Sequence, residues 1–266
     1  MHSMRKPCWI GSFVFALIVG SIVLAPSRVA LADGTGVNLT SSPPPLTASE
    51  VKAWAAEEAK YQSWLVGQAQ TIVPNIIDAP HYYLSTPSHK QSKTYYCGPA
   101  TCQIIDDYWH GTQTQATYAA KYGMCTTTAG TNYNLMDDVL RFCTGKSSYQ
   151  YYDYNSVTST TQVYNRTEYA LNSKHFPLSY LVTVDGSTWP NYHFDHAGHI
   201  FCGEGFDWRN TNYTISINDP YPENDPPPPN GVGRGPTGGA TYGHHTYARG
   251  VIANGVLALW RHGMIY

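Results

Sequence analysis

Pro99, two residues after Cys97, constrains this chain more than any other single residue. Proline has a fixed φ and no backbone N–H, so a helix tolerates it only in the first turn. Thr101, Ile104, Ile105 and Tyr108 follow at helical spacing and Gly111 stops the run, which predicts a helix over Pro99 to His110 with Cys97 at its start. The positive end of a helix favours a thiolate over a thiol, so Cys97 is a candidate nucleophile. Gln91, six residues earlier, is placed to donate from its side-chain amide, together with the Cys97 N–H, to an oxyanion formed at that sulfur.

A thiol nucleophile needs a base. Gly198-His199 opens an alternating stretch that runs to Phe206, and a second stretch from Asn212 ends at Asn218-Asp219-Pro220. These two read as a hairpin, and a five-residue loop between Phe206 and Asn212 puts His199 directly opposite Asp219. The carboxylate then holds one ring nitrogen and leaves the other for Cys97, which completes nucleophile, base and orienter. His196 competes as base, but it precedes the strand. The rival use of these histidines is a metal site built from His193, Asp195, His196 and His199 with His244 and His245. Gly198 interrupts any helix that would align them.

Elsewhere the helical signals come early and the strand signals late. Helices are expected over Ser49 to Gln70, Gln113 to Tyr122, Asn134 to Phe142 and Thr167 to Asn172. Strands are expected over Tyr151 to Val157, Leu178 to Val184, His199 to Phe206, Tyr213 to Asn218 and Val251 to Trp260. This ordering predicts an α+β domain with an antiparallel sheet. Pro220 to Gly243 is dominated by Pro and Gly and reads as a long surface loop.

Gln91 ahead of Cys97-Gly98-Pro99-Ala100, Gly198-His199 opening one strand, and Asn218-Asp219-Pro220 closing the next resemble the papain-like peptidases of the double-glycine-leader (C39-like) family over roughly Tyr82 to Trp260. The resemblance implies a papain-like fold, a central helix with Cys at its N-terminus packed on an antiparallel sheet. It implies Cys97 as nucleophile, His199 as general base, Asp219 as orienting carboxylate and Gln91 as oxyanion donor. The activity is then cysteine peptidase hydrolysis of peptide or amide bonds, with a peptide or protein substrate and no cofactor or metal. Family members that trim leaders are fused to a transporter's membrane and nucleotide-binding parts. This chain has neither and is similar to a free-standing secreted form. A catalytically quiet extracellular binding domain and a cell-wall amidase are the alternatives.

The first 32 residues read as a signal peptide: Arg5 and Lys6, an apolar run from Trp9 to Ala25, and Ala30-Leu31-Ala32 before Asp33. An uncleaved anchor is the competing reading. Cleavage leaves 13 Lys and Arg against 18 Asp and Glu, a net charge of −5, and no basic patch invites nucleic acid. Export also implies an oxidising compartment. Five cysteines then remain, an odd number, so one is expected to stay a thiol, with Cys97 the natural choice and Cys102, Cys125, Cys143 and Cys202 in disulfides, Cys125 with Cys143 among the pairings. The expected organisation is signal peptide 1–32, linker and helical segment 33–80 that could serve as a prosegment, and catalytic domain 81–266. No membrane contact is expected after cleavage.

Overall fold

The computed structural model describes residues 45–70, 81–127, 130–192, 196–209, 211–221, 242–259 and 262–266. His193 and Asp195, the side chain of His196, the leader and most of the Pro/Gly-rich segment lie outside them.

The chain runs α1 (Ala48–Gln70), β1 (His81–Tyr83), α2 (Cys97–Tyr108), α3 (Gln115–Ala120), β2 (Cys125–Thr126), β3 (Gly130–Thr131), α4 (Met136–Thr144), β4 (Tyr151–Asp153), α5 (Thr160–Glu168), β5 (Leu178–Val184), β6 (His196–Asp207), β7 (Thr214–Asp219), β8 (Gly243–Ala248), α6 (Arg249–Leu257) and β9 (Gly263–Ile265). Seven strands form one sheet in the order β4-β9-β5-β6-β7-β8, with β1 added beside the far end of β6, and each of these pairings is antiparallel. The architecture is the α+β one that the early helices and late strands imply.

The sheet is covered on both faces. On one, Cys97, Cys102, Ile104 and Ile105 of α2 pack with Val139 and Leu140 of α4 against Leu181, Ile200, Cys202 and Ile265. On the other, Val163 of α5 and Ile252, Ala253 and Val256 of α6 meet Tyr180, Val182, Val184 and Phe201. Ile104 and Ile105 are fully buried. Each such side chain contributes on the order of 2 kcal/mol by leaving water. Gly98 lets α2 come close to the small hairpin: a Cβ there would lie 2.3 Å from the Thr131 methyl.

The structure corrects several expectations. Val251 to Trp260 is not a strand; Arg249–Leu257 forms α6, because Ile252 and Val256 stand one turn apart and both face the core. The strand at Gly243–Ala248, not expected, pairs with β7. The helix expected over Thr167 to Asn172 starts earlier, at a Ser159 whose hydroxyl accepts from Gln162 N at 3.3 Å, and passes into a π-helical turn over Tyr169–Ser173.

The hairpin register also differs. Phe206 pairs with Ile215, not Asn212, because Asp207 and Thr214 are the last pair before a longer turn. A β-bulge between Gly203 and Gly205 then adds one residue, Glu204, to β6, so that Cys202 pairs with Asn218. One further step sets Asp219 opposite Phe201. His199 is therefore the diagonal neighbour of Asp219 on the same face, within reach of a long side chain, and not its direct opposite.

Among the described residues no disulfide forms: Cys97, Cys102, Cys125, Cys143 and Cys202 are all thiols. Cys102 and Cys202 both lie in the apolar layer between α2 and the sheet, each as a separate thiol. Cys125 is on the β2–β3 hairpin, where its thiol donates to Tyr95 O at 3.3 Å, and Cys143 is in the last turn of α4.

Candidate active site

Cys97 is the first residue of α2 and is 2% exposed. Thr101, one turn on, donates through its hydroxyl to Ile200 O at 3.2 Å and ties the helix start to β6. Burial pushes the Cys97 thiol up to about 12, with the neighbouring Cys125 and the Asp219 charge adding to the rise, while backbone bonds from Ile200 and Gly98 act against it. Helix placement alone suggested a thiolate; in the closed site desolvation outweighs the helix end and favours the thiol. The backbone bond from Ile200 also locates the sulfur, because Ile200 adjoins His199 on β6.

His199 is fully buried. It donates from Nε2 to Asp219 Oδ1 at 2.8 Å. Its other ring nitrogen, Nδ1, is the one Asp219 does not use. Gly198 precedes it at φ 83°, a left-handed backbone that favours glycine, next to the register shift at Val182/Thr183 on β5. The strand is thus turned locally at the histidine.

Asp219, also fully buried, accepts two more hydrogen bonds. Tyr221 N donates to Oδ1 at 2.9 Å, and the Tyr192 hydroxyl donates to Oδ2. Burial, with the Asp219 charge beside it, drives the Tyr192 hydroxyl well above its ordinary range, so it stays protonated and a donor. The rings of Tyr192 and Tyr221 stand 5.9 Å and 5.8 Å from the imidazole. These two tyrosines were missed from sequence. Tyr221 had a signal: a side-chain oxygen accepting from the N–H two residues on is the Asx-turn habit of aspartate. Tyr192 had none, since it reaches Asp219 from a distant loop.

Gln91 is buried at the same end of the sheet. Its N–H donates to Pro220 O at 2.8 Å, fixing it beside the Asp219 turn. Its Nε2 donates to Thr94 O at 3.0 Å, which sets the orientation of the amide and leaves a second Nε2 hydrogen. Gln115, unforeseen from sequence, braces this loop by accepting from Ser92 N at 2.8 Å and donating to Lys90 O at 2.7 Å.

The structure therefore brings His199 and Asp219 into direct contact, holds Gln91 against the residue after Asp219, and sets the Cys97 sulfur on the backbone of the residue after His199. Of the histidines considered as metal ligands, His244 donates from Nδ1 to Glu204 Oε1 at 2.8 Å and the His245 ring meets the Asn191 amide at 2.8 Å. Among the described residues, no cluster of three or more His, Cys, Asp or Glu could hold a metal ion.

A family model described as the Peptidase_C39 like family matches residues 83–227, which spans α2, β6, β7 and every residue of this site. No curated protein matches the chain.

Proposed function

The chain belongs to the Peptidase_C39 like family, and from that premise we propose that it is a cysteine peptidase working through Cys97, His199 and Asp219 with Gln91 as oxyanion donor. The observation that carries the reading is the buried bond from His199 Nε2 to Asp219 Oδ1, on the strand whose next residue bonds the Cys97 sulfur.

The thiol is protonated at rest, so attack is base-assisted. Cys97 Sγ bonds the scissile carbonyl carbon as its proton passes to His199 Nδ1, and Asp219 steadies the imidazolium. The oxyanion takes hydrogen bonds from the second Nε2 hydrogen of Gln91 and from the Cys97 N–H, which the helix ladder does not use. The amine leaves with the proton from His199. Water then attacks the thioester, again losing its proton to His199, and the acid departs as Cys97 regains its proton. The substrate is a peptide or protein.

Labelling of the full chain with a peptide bearing a thiol-reactive electrophile, read by mass spectrometry, tests this. An adduct at Cys97 that is lost in His199→Ala at unchanged circular dichroism supports the reading. A folded chain with intact Cys97 that neither labels nor cleaves peptides overturns it and favours a binding domain.

We read α1 as part of the folded domain, not as a removable prosegment. Its Tyr61 is buried in the core, Glu58 pairs with Arg166 at 3.1 Å and Glu57 with Lys174 at 3.3 Å. The charged start and apolar run of residues 1–32 support export and cleavage before Asp33. No helix among the described residues is long and apolar enough to cross a membrane. N-terminal sequencing of active protein tests both: a start at Asp33 supports them, and a start beyond Gln70 overturns the reading of α1.

A further inference from the structure

A hydroxyl, an imidazole and a carboxylate that the Cys97 chemistry does not use meet on the face of β7 and β8 opposite Asp219. Glu204 is the extra residue of the β6 bulge, and the bulge re-aims its side chain. It is fully buried. A buried carboxylate persists only with partners, and Glu204 has three: Thr86 donates to Oε2 at 2.5 Å, Tyr83 to Oε1 at 3.3 Å, and His244 Nδ1 to Oε1 at 2.8 Å. The other ring nitrogen of His244, Nε2, lies 3.1 Å from Ser88 Oγ. The His244 side chain is 46% exposed, so the group opens to solvent while its carboxylate does not.

We propose that Ser88, His244 and Glu204 form a second acyl-transfer site, a serine nucleophile with histidine base and glutamate orienter, acting on small carboxylic esters. The order of contacts is that of a serine triad: hydroxyl to Nε2, Nδ1 to carboxylate. The carboxylate accepts the Nδ1 hydrogen and so fixes the tautomer whose Nε2 can take the Ser88 proton. Ser88 also lies 3.0 Å from Asn218 Oδ1, a second acceptor for the same hydrogen. Attack proceeds from the arrangement in which Nε2 accepts.

The step balances without a cofactor. Ser88 Oγ bonds the ester carbonyl carbon as its proton passes to His244 Nε2, and the alkoxide leaves with that proton. Water attacks the acyl-serine, His244 relays its proton back to Ser88, and the acid departs. The backbone N–H of His89, the amide after the nucleophile, has no acceptor among the described residues and is the oxyanion donor. An exposed histidine and a single backbone donor suit activated esters better than peptides.

The test removes the first nucleophile. Full-length Cys97→Ala is treated with a fluorophosphonate, whose phosphorus bonds Ser88 Oγ as fluoride leaves and the proton goes to His244, and with p-nitrophenyl acetate. Phosphonylation maps to Ser88, and both reactions fall by about 10²-fold or more in the His244→Ala double variant, the usual worth of a general base. Glu204→Gln lowers them too; should it misfold, the Ser88 and His244 variants carry the test. Ser88→Ala with Cys97 intact keeps peptide cleavage. A folded Cys97→Ala chain with no label at Ser88, or with labelling unchanged by His244→Ala, overturns the second site and leaves the Cys97 reading untouched.

Discussion

The two carboxylate–histidine pairs of this sheet hang from neighbouring residues and live in different media. His199 and Asp219 are both fully buried, whereas Glu204 is fully buried and its partner His244 is half exposed. The residues Asn218 and Asp219 on β7, and Gly243 and His244 on β8, are consecutive and paired, so alternation sends one set to each face. The buried pair is enclosed by Tyr192, Tyr221 and Phe201 and can strengthen charge developing on the imidazole, because a low-dielectric site screens little. The exposed pair holds its carboxylate firmly and leaves its base in water. On the proposed readings, one sheet offers a closed site for a difficult bond and an open one for an easy bond.

Substitutions separate the two faces, beginning with the largest effect. Cys97→Ala and His199→Ala should each remove peptide turnover, a loss of about 10⁴-fold or more, and the double variant should lose no more than either alone because the groups act as a unit. Initial-rate assays at matched folding check this; additive losses would break the unit. Asp219→Asn should cost about 10²- to 10⁴-fold in kcat at similar KM, since it disturbs orientation and not binding.

Tyr192→Phe sharpens the comparison, as the exposed pair has no counterpart to that contact. Losing the hydroxyl that donates to Asp219 Oδ2 leaves a buried lone pair short of a donor, worth about 1–3 kcal/mol. The expected result is a roughly tenfold or greater fall in kcat and a lower melting temperature. An unchanged kcat would dissociate the tyrosine from the site. On the open face, Ser88→Ala and His244→Ala should leave peptide cleavage within about twofold, because their side-chain hydrogen bonds run to each other, to Asn218 and to Glu204. A larger loss would mean that the faces communicate.

A third buried carboxylate, Asp137, has arginine for a partner and no histidine. Burial raises its pKa to about 6 against the pull of Arg141, 2.9 Å away. The folded state therefore holds the proton more tightly than the unfolded chain. The stability from this group is full below the ordinary carboxylate range and lost as pH rises through about 6. Denaturant melts from pH 3.5 to 7.5 should show that loss, and Asp137→Asn should flatten it.

Much of the local placement of the candidate site residues was legible in the sequence, because each piece follows a short-range rule. Pro99 can stand only in a first turn, which puts Cys97 at a helix start, and Asp219 before Pro220 ends a strand at a turn. The early helices and late strands likewise announced the α+β class. What failed was whatever two distant segments decide together. The apolar run after Val251 has the residues for either a strand or a buried helix, and docking against β5 selected the helix. The cysteine count invited pairings, but three-dimensional placement set the thiols on separate elements.

The sequence by itself determined the chemical types and their spacing along the chain: a thiol at a helix start, an imidazole early in a strand, a carboxylate at the end of the next. Only the tertiary structure decided that the imidazole and the carboxylate meet. With the turn-end register unbroken, Asp219 would fall opposite Cys202 and face away from His199; the bulge at Glu204 slips β6 by one residue and returns both to one face. A one-residue slip inverts every side chain of a strand, and whether it occurs depends on what β1 and the loop before α2 offer the extra residue. They offer the Leu84 N–H, 2.7 Å from Glu204 O, and the Thr86 hydroxyl, 2.5 Å from its carboxylate, contacts more than a hundred residues away along the chain.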